Sequence, residues 1–282
     1  KTQHYLTRSS KEYRLLSTTA KSKISASESE LISLSHCLAV NHQAGTERQL
    51  LVDVSELSQR DSRTGVQRVV RSYLKGLLQS PPEGFRVEPI YGTWQDGYHY
   101  ARRFTLNFLN QDNPQSNDDP IRWQRGDIFL GLDMQHHVQL ANANFYRRLR
   151  CEGVVVKFLI YDLLPIQLPN FFRDSNAKDL HEKWLAMIAT MDGAICISKA
   201  TADAFEDWVH QGKFFQTPGF YLDWVHIGSD IDNSHPSQGL PVDALTVLDN
   251  LRQRPTFLCV STVEPRKQQQ QILEALELLW QE

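Results

Sequence analysis

Cysteine is scarce in this chain. Four occur in 282 residues (Cys37, Cys151, Cys196 and Cys259), and none stands at the short spacing of a zinc ribbon or a redox motif. Three of the four lie inside apolar runs, where cysteine packs as a small hydrophobe, so a reducing, cytoplasmic compartment is expected. No apolar run approaches the length that crosses a bilayer, and nothing at the start resembles a secretory leader. Basic excess is also missing: the net charge is -3, which argues against general nucleic-acid binding. Neither GxGxxG nor the P-loop pattern is present, so dinucleotide and Walker-type phosphate binding are unsupported. No internal repeat is visible.

What is there is an ordinary globular composition, 41% hydrophobic and 22% charged, in a chain long enough for a core without covalent staples. Residues 1–48 differ from the rest, being rich in Ser, Thr, Lys and Glu around one amphipathic patch from Leu31 to Val40. They read as a linker or the tail of an upstream module. From Leu50 onward, apolar runs alternate with stretches of helical period. Strands are expected at Leu50–Val54, Phe85–Tyr91, Asp127–Asp133, Val154–Tyr161, Gly193–Ile197 and Gly219–Ile227, with helices from Val66, Val138, Asp179 and Ala200. Near-continuous apolar strands between helices imply an α/β fold whose parallel sheet is covered on both faces, a doubly wound Rossmann-like domain. A polar passage over 231–255 then separates a new strand, Thr256–Val260, and a helix from Gln268 to Trp280. The division expected is 1–48, 49–230, 231–255 and 256–282, the last being the start of a second domain. Both ends of the chain read as cut.

In open α/β sheets ligands bind beyond the carboxyl ends of the strands, so the segments that follow each strand are the ones to examine. Thr64-Gly65 opens a helix whose free N–H groups suit an anion or a hydroxyl-rich ligand. Ser261-Thr-Val-Glu-Pro-Arg-Lys267 places two adjacent cations where a strand meets a helix, as a diphosphate would require. Asp133, His136, His137, His181 and Glu182 match no zinc spacing, and solvated or hydrogen-bonding roles are expected of them. His181-Glu182 reads as a solvated helix face. Trp94, Tyr98 and Tyr100, with Arg102 and Arg103, are weighed as an acceptor platform and read as core or edge packing.

Several segments together carry a family likeness over about 230 residues. Asp61-Ser-Arg-Thr-Gly-Val-Gln-Arg-Val-Val-Arg71, Tyr161-Asp-Leu-Leu-Pro165, Ile197-Ser-Lys-Ala-Thr201, His226-Ile-Gly-Ser-Asp230 and Val260 to Lys267 fall in the order found in one enzyme family. The chain resembles glycosyltransferase family 4, retaining GT-B enzymes that use sugar nucleotides, and among them the bacterial surface-polysaccharide and O-antigen mannosyltransferases. That resemblance implies an acceptor-side Rossmann-like domain and the opening of a donor-binding domain. It implies a hexosyltransferase, mannosyl in the first instance, with GDP-mannose as donor and a lipid-linked or polysaccharide acceptor. It further implies peripheral attachment at the inner face of the membrane, membrane-associated assembly partners, and no metal or cofactor.

Residue by residue, the resemblance makes Lys267, Arg266 and Gly65 donor-phosphate contacts and Asp133 and Asp162 the catalytic candidates. Thr64, His136, His137, Ser198 and Glu264 are implied as acceptor or sugar contacts. Tyr161 departs from the family's histidine, and Ser261-Thr262 stands where an arginine is usual. This stretch alone is expected to be inactive. A non-catalytic module that binds glycan or a partner in a polysaccharide assembly is the alternative.

Overall fold

The computed structural model describes residues 27, 47–60, 64–94, 97–111, 117–172, 174–228 and 240–281. The expectations for nearly all of residues 1–48, for Asp61 to Arg63, for Ser229-Asp230 and for 231–239 lie outside the described residues.

Apolar residues at every position of a strand can be buried only if both faces are covered, and β1 (Arg48–Asp53) is buried from its second residue to its last. It sits inside a seven-stranded sheet of order β3-β2-β1-β4-β5-β6-β7. β2 (Phe85–Gly92), β4 (Ile128–Gly131), β5 (Val155–Ile160), β6 (Gly193–Cys196) and β7 (Tyr221–Trp224) run parallel with β1. β3 (Tyr98–Tyr100) is antiparallel to β2 and closes one edge, which an all-parallel reading does not anticipate.

Several short helices also escape the periodicity reading. α1 (Ser55–Gln59) follows β1 where a polar loop is expected, and α3 (Arg102–Phe108) follows β3. α2 (Gly65–Gln79) begins with a reciprocal cap in which Thr64 Oγ1 accepts from Gln67 N–H and Thr64 N–H donates to Gln67 Oε1. The expected helix from Val138 to Arg150 is divided at Asn142 into α4 (His136–Ala141) and α5 (Ala143–Cys151). α6 (Leu164–Gln167), α7 (Ala177–Ala189) and α8 (Lys199–Gly212) complete the βαβ connections.

The core divides along the sheet. Val70 and Leu74 of α2 join Leu57, Val52 and Leu132 on one face, while Tyr146 and Leu149 of α5, Trp184 and Ile188 of α7 and Phe205 of α8 fill the other. At Gly193 the sheet needs a bare backbone, because a Cβ there would collide with the Tyr221 carbonyl. Lys157 and Tyr221 flank Gly193 on the neighbouring strands, and the Lys157 ammonium lies 4.1 Å from the Tyr221 ring centroid.

Beyond β7, α9 (Ala244–Arg252), a short 3-10 turn (Pro265–Lys267) and α10 (Gln269–Gln281) follow. The expected helix is present, but Thr256 to Val260 has no strand pairing among the described residues. A strand exists through its hydrogen bonds to a neighbour, and among the described residues no strand pairs with this run.

Candidate functional site

From β1 the chain moves outward to β2 and β3, then returns across the sheet to β4 on the other side of β1. The connections therefore leave β1 and β4 in opposite directions, and a crevice opens at the carboxyl ends of these two strands. Both strands lead into a carboxylate there. Asp53 is the last residue of β1 and Asp133 stands two residues past β4, its N–H donating to the Asp53 carbonyl at 3.0 Å.

Asp53 is wholly buried and accepts from four donors. The backbone N–H and hydroxyl of Ser55 reach Oδ1, while Tyr98 OH at 2.9 Å and Gln139 Nε2 at 3.0 Å reach Oδ2. A carboxylate only accepts, so Tyr98 spends its proton on Asp53 and receives one from Tyr146 OH at 2.7 Å. Gln139 also donates to the Asp133 carbonyl and accepts from Trp184 Nε1 at 2.6 Å, tying α7 to the same network. Burial raises the Asp53 pKa against the lowering effect of those donors.

Asp133 is 1% exposed. Its Oδ2 accepts from Leu57 N–H at 2.6 Å and its Oδ1 from Met134 N–H at 2.9 Å. Burial raises its pKa to about 7, the nearby Asp53 and Glu56 charges add to the rise, and the two N–H donors oppose it. Proton exchange at this carboxyl thus falls near neutral pH. Glu56 is itself held by Gln135 Nε2 at 2.8 Å, so α1 is fastened to the loop before α4 on both sides of Asp133.

A directed chain of imidazoles lies beside this pair. The Asp162 carbonyl can only accept, so His181 Nε2 donates to it at 2.9 Å and His181 Nδ1 is left as an acceptor. His136 Nε2 then donates to His181 Nδ1 at 2.9 Å, leaving His136 Nδ1 as the acceptor at the end of the relay. Burial, with the charges of His181 and His137, pushes His136 down to about 3, and burial lowers His181 as well. Both rings are neutral under ordinary conditions. The solvated face expected for His181 is corrected here: it is buried, and its ring leans on Trp184.

Most of the other expected residues gather at the same edge. Thr64 and Gly65 open α2, and a methyl group on Gly65 would meet nothing within 4 Å. Asp162 follows β5 and caps Leu164 N–H through Oδ1. Ser198 follows β6 and caps α8 by accepting from Thr201 N–H. His137 is exposed and stacks on Trp94 at 5.5 Å. Tyr161, in the family's histidine position, is buried and donates to the Leu132 carbonyl, joining the ends of β4 and β5.

Glu264, Arg266 and Lys267 lie in the C-terminal segment. Arg266 pairs with Glu264 at 2.8 Å and sits over the Phe172 ring, whereas Lys267 is exposed with no ion-pair partner among the described residues. Among the described residues no group of three or more His, Cys, Asp or Glu side chains is arranged to hold a metal ion.

Sequence reading missed Asp53, Ser55, Tyr98, Gln139 and Tyr146. One signal was available: an aspartate closing an otherwise apolar strand run at the sheet's carboxyl edge. His181 also had one, since it stands three, four and seven residues before Trp184, Leu185 and Ile188 and so shares their buried face.

No family model matches the chain. Among characterised proteins it is similar to the serotype-specific mannosyltransferase WbdA of Escherichia coli, at 32% identity over 259 residues, 91% of this chain. A second protein of the same name and organism is 32% identical over 257 residues, and a third is 31% identical over 259. The chain spans 30% of the length of the first of these relatives and 31% of the other two. The similarity to one stretch of the E. coli mannosyltransferase is sustained over about nine tenths of this chain.

Proposed function

We propose that this chain is the acceptor-side part of a retaining glycosyltransferase. It would move a hexosyl group, mannosyl in the first instance, from a sugar nucleotide to a lipid-linked or polysaccharide acceptor in O-antigen synthesis. The observation that carries this reading is the likeness to a named mannosyltransferase over 91% of the chain. Residues 49–230 would supply the acceptor side and 256–282 would open the donor-binding domain. In support, Leu273, Leu279 and Trp280 on α10 are exposed apolar residues, as befits a helix that belongs to a larger core.

Retaining transfer passes through an oxocarbenium-like state while negative charge grows on the leaving diphosphate. Groups that meet this growing charge accelerate the reaction because they bind the transition state more tightly than the ground state. Lys267 is the free cation of the pair, since Arg266 already answers Glu264. The unobstructed start of α2 at Gly65 would add backbone N–H groups. With cations and N–H donors at the diphosphate, no metal is required. Asp162 would face the reacting sugar from the end of β5, Asp133 would stand buried behind it at the end of β4, and neutral His136 would accept a hydrogen bond from a sugar hydroxyl.

The test is a screen of the intact protein against a panel of sugar nucleotides with manno-oligosaccharide acceptors. Transfer should be seen with GDP-mannose, and Lys267→Ala should lower turnover by at least ~100-fold, the scale of losing one charge-stabilising group. Wild-type turnover in that variant removes Lys267 from the site. An intact protein inert toward every donor overturns the transferase reading.

A further inference from the structure

We propose that the face of α4 and α5 nearest β3 is a glycan track, which holds an extended oligosaccharide acceptor as it leads away from the switch-point crevice. The proposal rests on the transferase reading for the direction of the chain.

Three observations meet on this face. Trp94, just past the carboxyl end of β2, is 67% exposed and lies flat on His137, with ring planes 19° apart. A large aromatic pair standing in water at the mouth of a crevice offers a flat face on which a sugar ring can stack. Its base is fixed, because Asn142 Nδ2 donates to the Thr93 carbonyl at 3.0 Å.

Second, His137 and Ala141 stand four apart on α4, and Phe145 and Arg148 three apart on α5, so each pair shares a face of its own helix. Ala141, Phe145 and Arg148 line one cavity of about 410 Å³ together with Gly97 and Trp123. From His137 to Arg148 the helices cover about 16 Å at 1.5 Å per residue, the reach of a short oligosaccharide rather than of one sugar.

Third, the far end of the track is held rigid. The Trp123 ring has the Arg148 guanidinium 5.3 Å from its centroid, Phe145 edge-on at 5.4 Å, and its Nε1–H donating to Glu152 at 2.6 Å. Gly97, at φ +71°, leaves the neighbouring wall bare.

Rings spaced along a groove, with fixed charged groups at their edges, match the chemistry of a sugar chain. Its C–H faces stack on aromatics, and its hydroxyls need donors and acceptors at the rim. Arg148 and Glu152 pair beside Trp123 at the far end of this surface and offer a donor and an acceptor to sugar hydroxyls. Tyr98 and Tyr100, read from the sequence as core or edge packing, are buried as expected and take no part in the track.

The experiment titrates the intact protein with linear manno-oligosaccharides of increasing length and follows tryptophan fluorescence and calorimetric heat. Affinity should rise with length, and Trp94→Ala and Trp123→Ala should each weaken the longest probe by at least ~5-fold, the loss typical of an aromatic anchor. Mannose itself should bind both variants as it binds the wild type. Trp94 is exposed, so its variant keeps the test decisive if Trp123→Ala fails to fold. Affinity independent of length, or a folded Trp94→Ala that binds like wild type, overturns the track. A surface that ignores every oligosaccharide and is instead quenched as protein concentration rises is a self-association face, which overturns it too. Turnover on the shortest acceptor, read in parallel, separates the two claims: activity without length dependence removes the track alone, and length-dependent binding without transfer removes the enzyme alone.

Discussion

Asp133→Asn should gain stability relative to the wild type as pH rises from acid to neutral and alkaline values. In the unfolded chain this carboxyl loses its proton near 3.8, and in the folded protein near 7, chiefly because it is buried. Between those values the folded state holds a proton that the unfolded state has released. Stability from this group is therefore complete below the unfolded value and falls as pH rises, until the folded group also ionises. At about 1.4 kcal/mol per pH decade, the move from 3.8 to about 7 costs about 4 kcal/mol by pH 8.

Asparagine has the same shape and no charge. It offers one oxygen to the two N–H groups of Leu57 and Met134, whereas a protonated aspartic acid keeps an oxygen at both positions, so the variant leaves one of these N–H groups without its acceptor. The variant should thus unfold at a lower urea concentration near pH 4, by the roughly 1–3 kcal/mol of one unpaired N–H, and should gain up to ~4 kcal/mol on the wild type between there and about pH 8. Parallel curves for the two proteins across this range would refute the reasoning, because they would mean that Asp133 titrates as if solvated.

The buried phenols give an ordered pair of effects. Tyr98→Phe removes a donor from Asp53 and the acceptor of Tyr146, and should cost about 1–3 kcal/mol in chemical denaturation. Tyr146→Phe removes only the outermost hydroxyl and should cost less; the reverse order would break the assigned direction of the chain. Gly193→Ala should destabilise by roughly 1–3 kcal/mol through overpacking against the Tyr221 carbonyl. Its effect should be seen as faster hydrogen exchange in β6 and β7, and unchanged exchange there would refute the close approach.

Elements whose pattern is local were legible in advance, and those defined by distant neighbours were not. Val155–Ile160 is a strand by composition alone, and the Thr64–Gln67 cap is written within four residues. The rule that ligands gather beyond strand ends led to Asp133, Asp162, Ser198 and Thr64 without coordinates. Asp53 was passed over because one aspartate in LLVDV says nothing of partners 45 and 86 residues away. β3 is three residues long, too short for a period to appear. Thr256 to Val260 has the composition of a strand, yet composition cannot supply the neighbour that a strand pairs with.

The aromatics after β2 carry this distinction into function. Trp94, Tyr98 and Tyr100 are one cluster in sequence, and nothing in their composition separates a binding platform from a core. The antiparallel turn of β3 does separate them. Residues two apart on a strand share a face, so Tyr98 and Tyr100 go together into the core, where their hydroxyls answer Asp53 and Gln49. Trp94 precedes the strand and is bound by no such alternation, which leaves it at the mouth of the crevice against His137. One short edge strand thus sorts three aromatic residues into two roles. It commits the pair to holding the carboxylate that closes β1, and it leaves the single tryptophan free to meet a substrate.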